Sequence, residues 1–145
     1  MDQFRRACAA IAAIDRTACT PEELGRLVIG VGGLSDRLRA VHALDLLAAD
    51  RARVWSTSGA RNVSGWYANR LEVRYGDAIR LAKLGEVLER SDRLRDAVLA
   101  GRLSSAAVED VHSAIVDGPE GADIDEFLDT YFESRLTPEP TPDPA

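Results

Sequence analysis

The chain predicts an all-α fold: a multi-helix bundle with a long N-terminal helical hairpin and a helix-turn-helix-like centre. Three observations carry this expectation. No stretch of useful length alternates polar and apolar residues with period two, so no strand is expected. Apolar residues recur instead at spacings of three and four, the repeat of a half-buried helix. Start and stop signals then cut the chain into short segments, at Thr20-Pro21, Ser56–Gly59, Ser91, Gly101 and Ser104.

The first helix is expected from Gln3 to Ile14, with Phe4, Ala7, Cys8, Ile11 and Ile14 on one face. Thr20-Pro21-Glu22-Glu23 opens the second. Thr20 can cap, Pro21 stands where its missing N–H costs nothing, and Glu23 can reach back to complete a capping box. Apolar residues then fall at Leu27, Val31, Leu34, Leu38 and Val41, followed by Ala48, Ala52 and Trp55, a heptad-like stripe broken by Asp45. A kink is expected at Gly30-Val31-Gly32-Gly33, since each glycine costs about 0.5–1 kcal/mol relative to alanine in a helix. Further helices follow at Val63–Leu71, Gly76–Arg90, Asp92–Ala100 and Ser105–Val116, with Ser91 and Ser104 as caps and Gly101 as a stop. The last, Asp123 to Arg135, places Ile124, Phe127, Leu128, Tyr131 and Phe132 together. The expected organisation is a hairpin over 1–58, a compact helical module over 59–118, an acidic amphipathic helix over 119–136 and a proline-rich disordered tail over 137–145.

Composition bounds the function. At 145 residues, 46% hydrophobic and 29% charged, the chain has the make-up of one soluble globular domain. The longest run free of charge, Leu27 to Ser35, is too short for a bilayer, and the first residues lack a secretory apolar core. Two cysteines, Cys8 and Cys19, are expected as free thiols in the cytoplasm, with no membrane association. The net charge of −6 conceals an asymmetry. Residues 51–102 carry eleven basic and six acidic side chains, whereas residues 103–145 carry one and eleven. A basic centre implies an anionic partner, and the acidic stretch after Asp117 is placed to fold over the arginines and compete for them.

No motif for catalysis, cofactor or metal binding emerges. Gly30-Val31-Gly32-Gly33 lacks the third glycine of the dinucleotide pattern, a preceding strand and a following Lys-Ser/Thr pair. Asp123, Asp125, Glu126 and Asp129 are spaced as a solvated helix face, without the glycine of a calcium loop. Ser64, Ser104 and Ser105 lie at helix starts, where capping is the expected role. His42 and His112 stand far apart, and each reads as a surface or satisfied core residue rather than a ligand. Trp55 and Trp66 read as core anchors.

Gly59-Ala60-Arg61 leading to Trp66, Asp77-Ala78 leading to Leu88, and Ala100-Gly101-Arg102-Leu103-Ser104 together resemble the 13E12 repeat family, domain of unknown function 222. The resemblance covers about residues 1–135 and is strongest over 59–116. It implies an all-helical domain of the kind found ahead of an HNH endonuclease domain, and association with DNA. HNH chemistry needs histidines that activate water and hold a metal, often beside paired cysteines, and this chain lacks that set. Glu72 and Arg74 also stand where the family offers a glycine and a serine cap.

Two functional readings follow. In the first, a non-catalytic module binds or positions duplex DNA through Arg70, Arg74, Arg80 and Lys83, with Tyr75 able to stack on a base. The same charges could equally form a solvated surface balanced by Asp77, Glu86 and Glu89. In the second, the chain is a protein-interaction module. Its seam of Leu27, Val31, Leu34, Leu38 and Val41 joins two copies, or joins the chain to a relative of the same family.

Overall fold

The computed structural model describes residues 2–116 and 123–136. Within them stand seven helices and no strand: α1 (Asp2–Ala12), α2 (Pro21–Arg51), α3 (Val63–Leu71), α4 (Tyr75–Arg90), α5 (Asp92–Leu99), α6 (Ser105–Val116) and α7 (Ile124–Leu136). The protein is thus an all-α multi-helix bundle. The proline-rich tail over 137–145 and the head of the acidic segment over 117–122 lie outside the described residues.

The chain forms two compact units, Met1–Leu34 and Ser35–Ala145, whose boundary falls inside α2. In the first unit the capping box forms in both directions. The Thr20 amide donates to Glu23 Oε2 at 2.8 Å, and the Glu23 amide donates to Thr20 Oγ1 at 3.2 Å. Those two bonds hold the Glu23 carboxyl below the usual glutamate range. Asp15 accepts from the Thr17 hydroxyl at 2.7 Å and from its amide at 3.0 Å, and is likewise lowered. Arg16 donates to the carbonyls of Ile11, Ala12 and Ile14, satisfying the C-terminal end of α1. The expected kink is absent: α2 runs unbroken through Gly30, Gly32 and Gly33. Helical hydrogen bonding continues through glycine, so the entropic penalty alone does not break the helix.

The second unit is organised around α4. Ala78, Leu81, Leu84, Gly85, Val87 and Leu88 are all buried, so α4 is covered on more than one side. Helix α2 comes very near it at Gly85. A Cβ built there would press on the Ala43 carbonyl oxygen and lie 3.0 Å from the Ala43 carbonyl carbon. Only small residues permit so close a crossing, and α2 accordingly buries Ala40 and Ala43. The heptad stripe is a different face here, and Leu38 and Val41 remain exposed.

Helix ends are set by local chemistry. Asn62 caps α3 by accepting from the Gly65 amide at 2.8 Å, and Ser91 caps α5 by accepting from the Leu94 amide at 3.1 Å. Gly101 adopts φ +73° after α5. Its amide donates to Val98 O, and the Arg102 amide donates to Ala97 O, which together form a Schellman motif. Helix α2 ends the same way but without glycine. Arg53 takes φ 52°, its amide donates to Asp50 O, and the Val54 amide donates to Ala49 O. This stops the helix at Arg51, short of Trp55, whose indole N–H donates to Asp50 Oδ1 at 2.8 Å. Helix α6 is capped twice. Ser104 Oγ accepts from the Ala107 amide, and Asp36 of α2 accepts from both the amide and the hydroxyl of Ser105.

Candidate anion-binding cleft

Arg80, Lys83, Leu84 and Val87 are spaced i, i+3, i+4 and i+7 and therefore share one face of α4. Opposite them stand Val108, Glu109 and His112 of α6. Together they line a cleft of about 220 Å³ between the two helices. Its floor is apolar and fully packed, since Leu84, Val87 and Val108 are each no more than 3% exposed. Its polar lining comprises Arg80, Lys83, His112 and the carboxylate of Glu109.

Two carboxylates bear on this lining. Glu109 accepts from Arg39 of α2 at 3.0 Å, so the cleft's own acid is engaged by a further arginine. Asp77 accepts from Arg80 at 2.9 Å across one turn of α4, with both side chains more than half exposed. An exposed pair of this kind contributes only about 0–1 kcal/mol and yields readily to a better-placed anion. A planar guanidinium fork beside an ammonium can hold a phosphate or carboxylate oxygen pair by charge-assisted hydrogen bonds.

The sequence-predicted binding residues divide between locations. Arg80 and Lys83 share the cleft. Arg74 is the N-cap residue of α4; its carbonyl accepts from the amides of Asp77 and Ala78, and its side chain makes no cap bond. Tyr75 is 49% exposed, and its phenol oxygen accepts from Asn62 Nδ2 at 3.2 Å, tying it to the residue that caps α3. Arg70 lines a separate groove of about 290 Å³ between α2 and α3, with Trp66, Tyr67 and His42. There His42 meets Tyr67 edge-on at 5.2 Å, and burial pushes the Tyr67 phenol up. His112, Glu109 and Val108 of the cleft were not expected. They reach it from α6, and no spacing in the chain announces that α4 and α6 pair.

Of the seam residues, Leu27 and Val31 are half-buried within the first unit, while Leu34, Leu38 and Val41 are exposed. The acidic helix α7 contributes to the core instead of lying loose, with Leu128 fully buried. Its Asp125 and Asp129 pair with Arg93 of α5, whose guanidinium is raised by the Asp129 bond, a different arginine from those predicted.

Among the described residues, no group of three or more His, Cys, Asp or Glu is placed to hold a metal ion, and no helix is long and apolar enough to cross a membrane. No family model, no curated protein and no solved structure matches the chain.

Proposed function

We propose that this protein is a non-catalytic module of the cytoplasm that binds or positions duplex DNA, with the α4–α6 cleft as its phosphate contact. The observation that supports this reading is the gathering of Arg80, Lys83 and His112 around one cleft whose acid, Glu109, is already held by Arg39. Phosphate contacts of this kind position a protein on a duplex without reading its sequence. The resemblance to the 13E12 repeat family points the same way.

Fluorescence anisotropy with a short labelled duplex tests the proposal. Two or three neutralised phosphates give a slope of about −2 to −3 in log K against log salt. Arg80→Gln with Lys83→Gln should reduce that slope by about 2 and leave the helical circular dichroism unchanged. Failure to bind at low salt, or binding indifferent to the double substitution, would overturn the reading.

A further inference from the structure

Given the α4–α6 cleft as a phosphate contact, on which this rests, we propose that the group it takes is a phosphate monoester in preference to an internal diester. That is the chemistry of a 5′-phosphorylated strand end or of a free nucleotide. Three donors of different shape line one cavity: the guanidinium of Arg80 and the ammonium of Lys83 on α4, and the imidazole of His112 on α6. Among the described residues, neither Lys83 nor His112 has a hydrogen-bond or ion-pair partner. Arg80 pairs with Asp77 across an exposed contact that yields to a better-placed anion. The acid in the lining, Glu109, accepts from Arg39.

At about 220 Å³ the cleft has room for about seven waters at the ~30 Å³ each takes in the liquid. It therefore admits one phosphate group, and the donors that line it serve the same ligand. A diester inside a strand offers two free oxygens and a single negative charge. A monoester offers three free oxygens and carries about −1.5 to −2 at pH 7. Three donor side chains match three acceptor oxygens, whereas a diester gives them one fewer. Shape acts in the same direction. Helices α4 and α6 wall the cleft on two sides, through Lys83 and Leu84 on one and Val108 and His112 on the other. An internal phosphate brings a sugar on each side past those walls; a terminal phosphate brings one.

Fluorescence anisotropy compares a labelled blunt duplex carrying 5′ phosphates with the same duplex carrying 5′ hydroxyls. The phosphorylated duplex should bind about five- to ten-fold tighter at low salt, the size expected of charge-assisted hydrogen bonds in an open, screened site. His112→Phe keeps a ring but removes both nitrogens. It should bring the ratio of the two affinities close to one with helical circular dichroism unchanged, and Lys83→Gln should shrink the same ratio. Proton NMR separates the two sources, because His112 lies in the cleft and His42 in the other groove. Thymidine 5′-monophosphate should move the His112 ring signals saturably at millimolar concentration and leave those of His42 in place, while its methyl diester moves neither. A preference for the phosphorylated duplex without a nucleotide response assigns the strand end; a nucleotide response alone assigns the free ester. Equal affinity for the two duplexes, together with equal responses to the monophosphate and its methyl diester, would overturn the monoester and leave the cleft as a general phosphate contact. A ratio unchanged in both variants would overturn it as well. No binding of either duplex would overturn the DNA reading instead, and the monoester would then stand or fall on the nucleotide response.

Discussion

Gly85→Ala is the substitution that most directly tests how the second unit is built. The new methyl would press on the Ala43 carbonyl oxygen, 3.0 Å from its carbon and 3.4 Å from Leu47 Cβ. Carbon atoms in favourable contact stand about 3.5–4.0 Å apart, so α2 must withdraw by at least about 0.5 Å. The obstructing atoms are backbone and cannot rotate aside. Such overpacking costs about 1–3 kcal/mol, against which the better helix propensity of alanine returns about 1 kcal/mol. The net effect is a loss of about 0–2 kcal/mol, read by urea denaturation followed by circular dichroism. Gly76→Ala is the control in the same helix, because a Cβ there meets nothing within 4 Å. It should be neutral or slightly stabilising. If Gly85→Ala proved as stable as Gly76→Ala, α2 and α4 would not cross at this point.

Leu128→Ala should cost about 2–5 kcal/mol by denaturation, since the side chain is fully buried; a surface-lying α7 would predict almost no change. Glu72→Gly should stabilise the protein by about 0.5–1 kcal/mol in the same assay, because Glu72 holds φ 54° after α3, where glycine is unstrained. Acid should loosen the start of α2. The lowered Glu23 carboxyl contributes stability above the ordinary glutamate range and loses it as pH falls through the folded-state value. A circular-dichroism titration of Glu23→Gln should therefore be flatter than that of the parent below that range, and coincident curves would refute the coupling.

Elements whose limits depend on near neighbours were legible before any coordinates. Helices α3 and α6 occupy the expected Val63–Leu71 and Ser105–Val116, and the box at Thr20 and Glu23 closes as its spacing implied. Features that depend on distant partners were not. Hydrophobic periodicity weights side-chain size, so it favoured Leu38 and Val41 over Ala40 and Ala43. Burial at the α2–α4 crossing favours the small residues, and nothing near Ala43 in the chain reveals that Gly85 will lie against it. The burial of Leu84 and Val87 has a related cause. An amphipathic reading assigns one inward face, and α4 has a second, turned towards α6. Half of the cleft was therefore visible as Arg80 and Lys83 on one helix, while His112 arrives from a helix that only folding brings near.

The charge map was the least direct guide, because a segment's surplus does not say which cations remain available. Arg51 pairs with Glu89, Arg93 with Asp129, Arg95 with Asp92 and Arg80 with Asp77, so several arginines of the basic centre face carboxylates. Only the last of these bears on the cleft, and it supplies a sharp test. If Arg80 leaves Asp77 to contact phosphate, binding must overcome that pair, which contributes about 0–1 kcal/mol. Asp77→Asn removes the competing charge and should tighten duplex binding about two- to five-fold at low salt, the equivalent of about 0.4–1 kcal/mol. The gain should shrink as salt screens the exposed pair. The substitution also removes an acid from the first turn of α4, a loss of about 0.3–1 kcal/mol in stability that thermal denaturation would register separately. Unchanged or weaker binding by Asp77→Asn would mean that Arg80 does not touch the duplex, whatever Lys83 and His112 do.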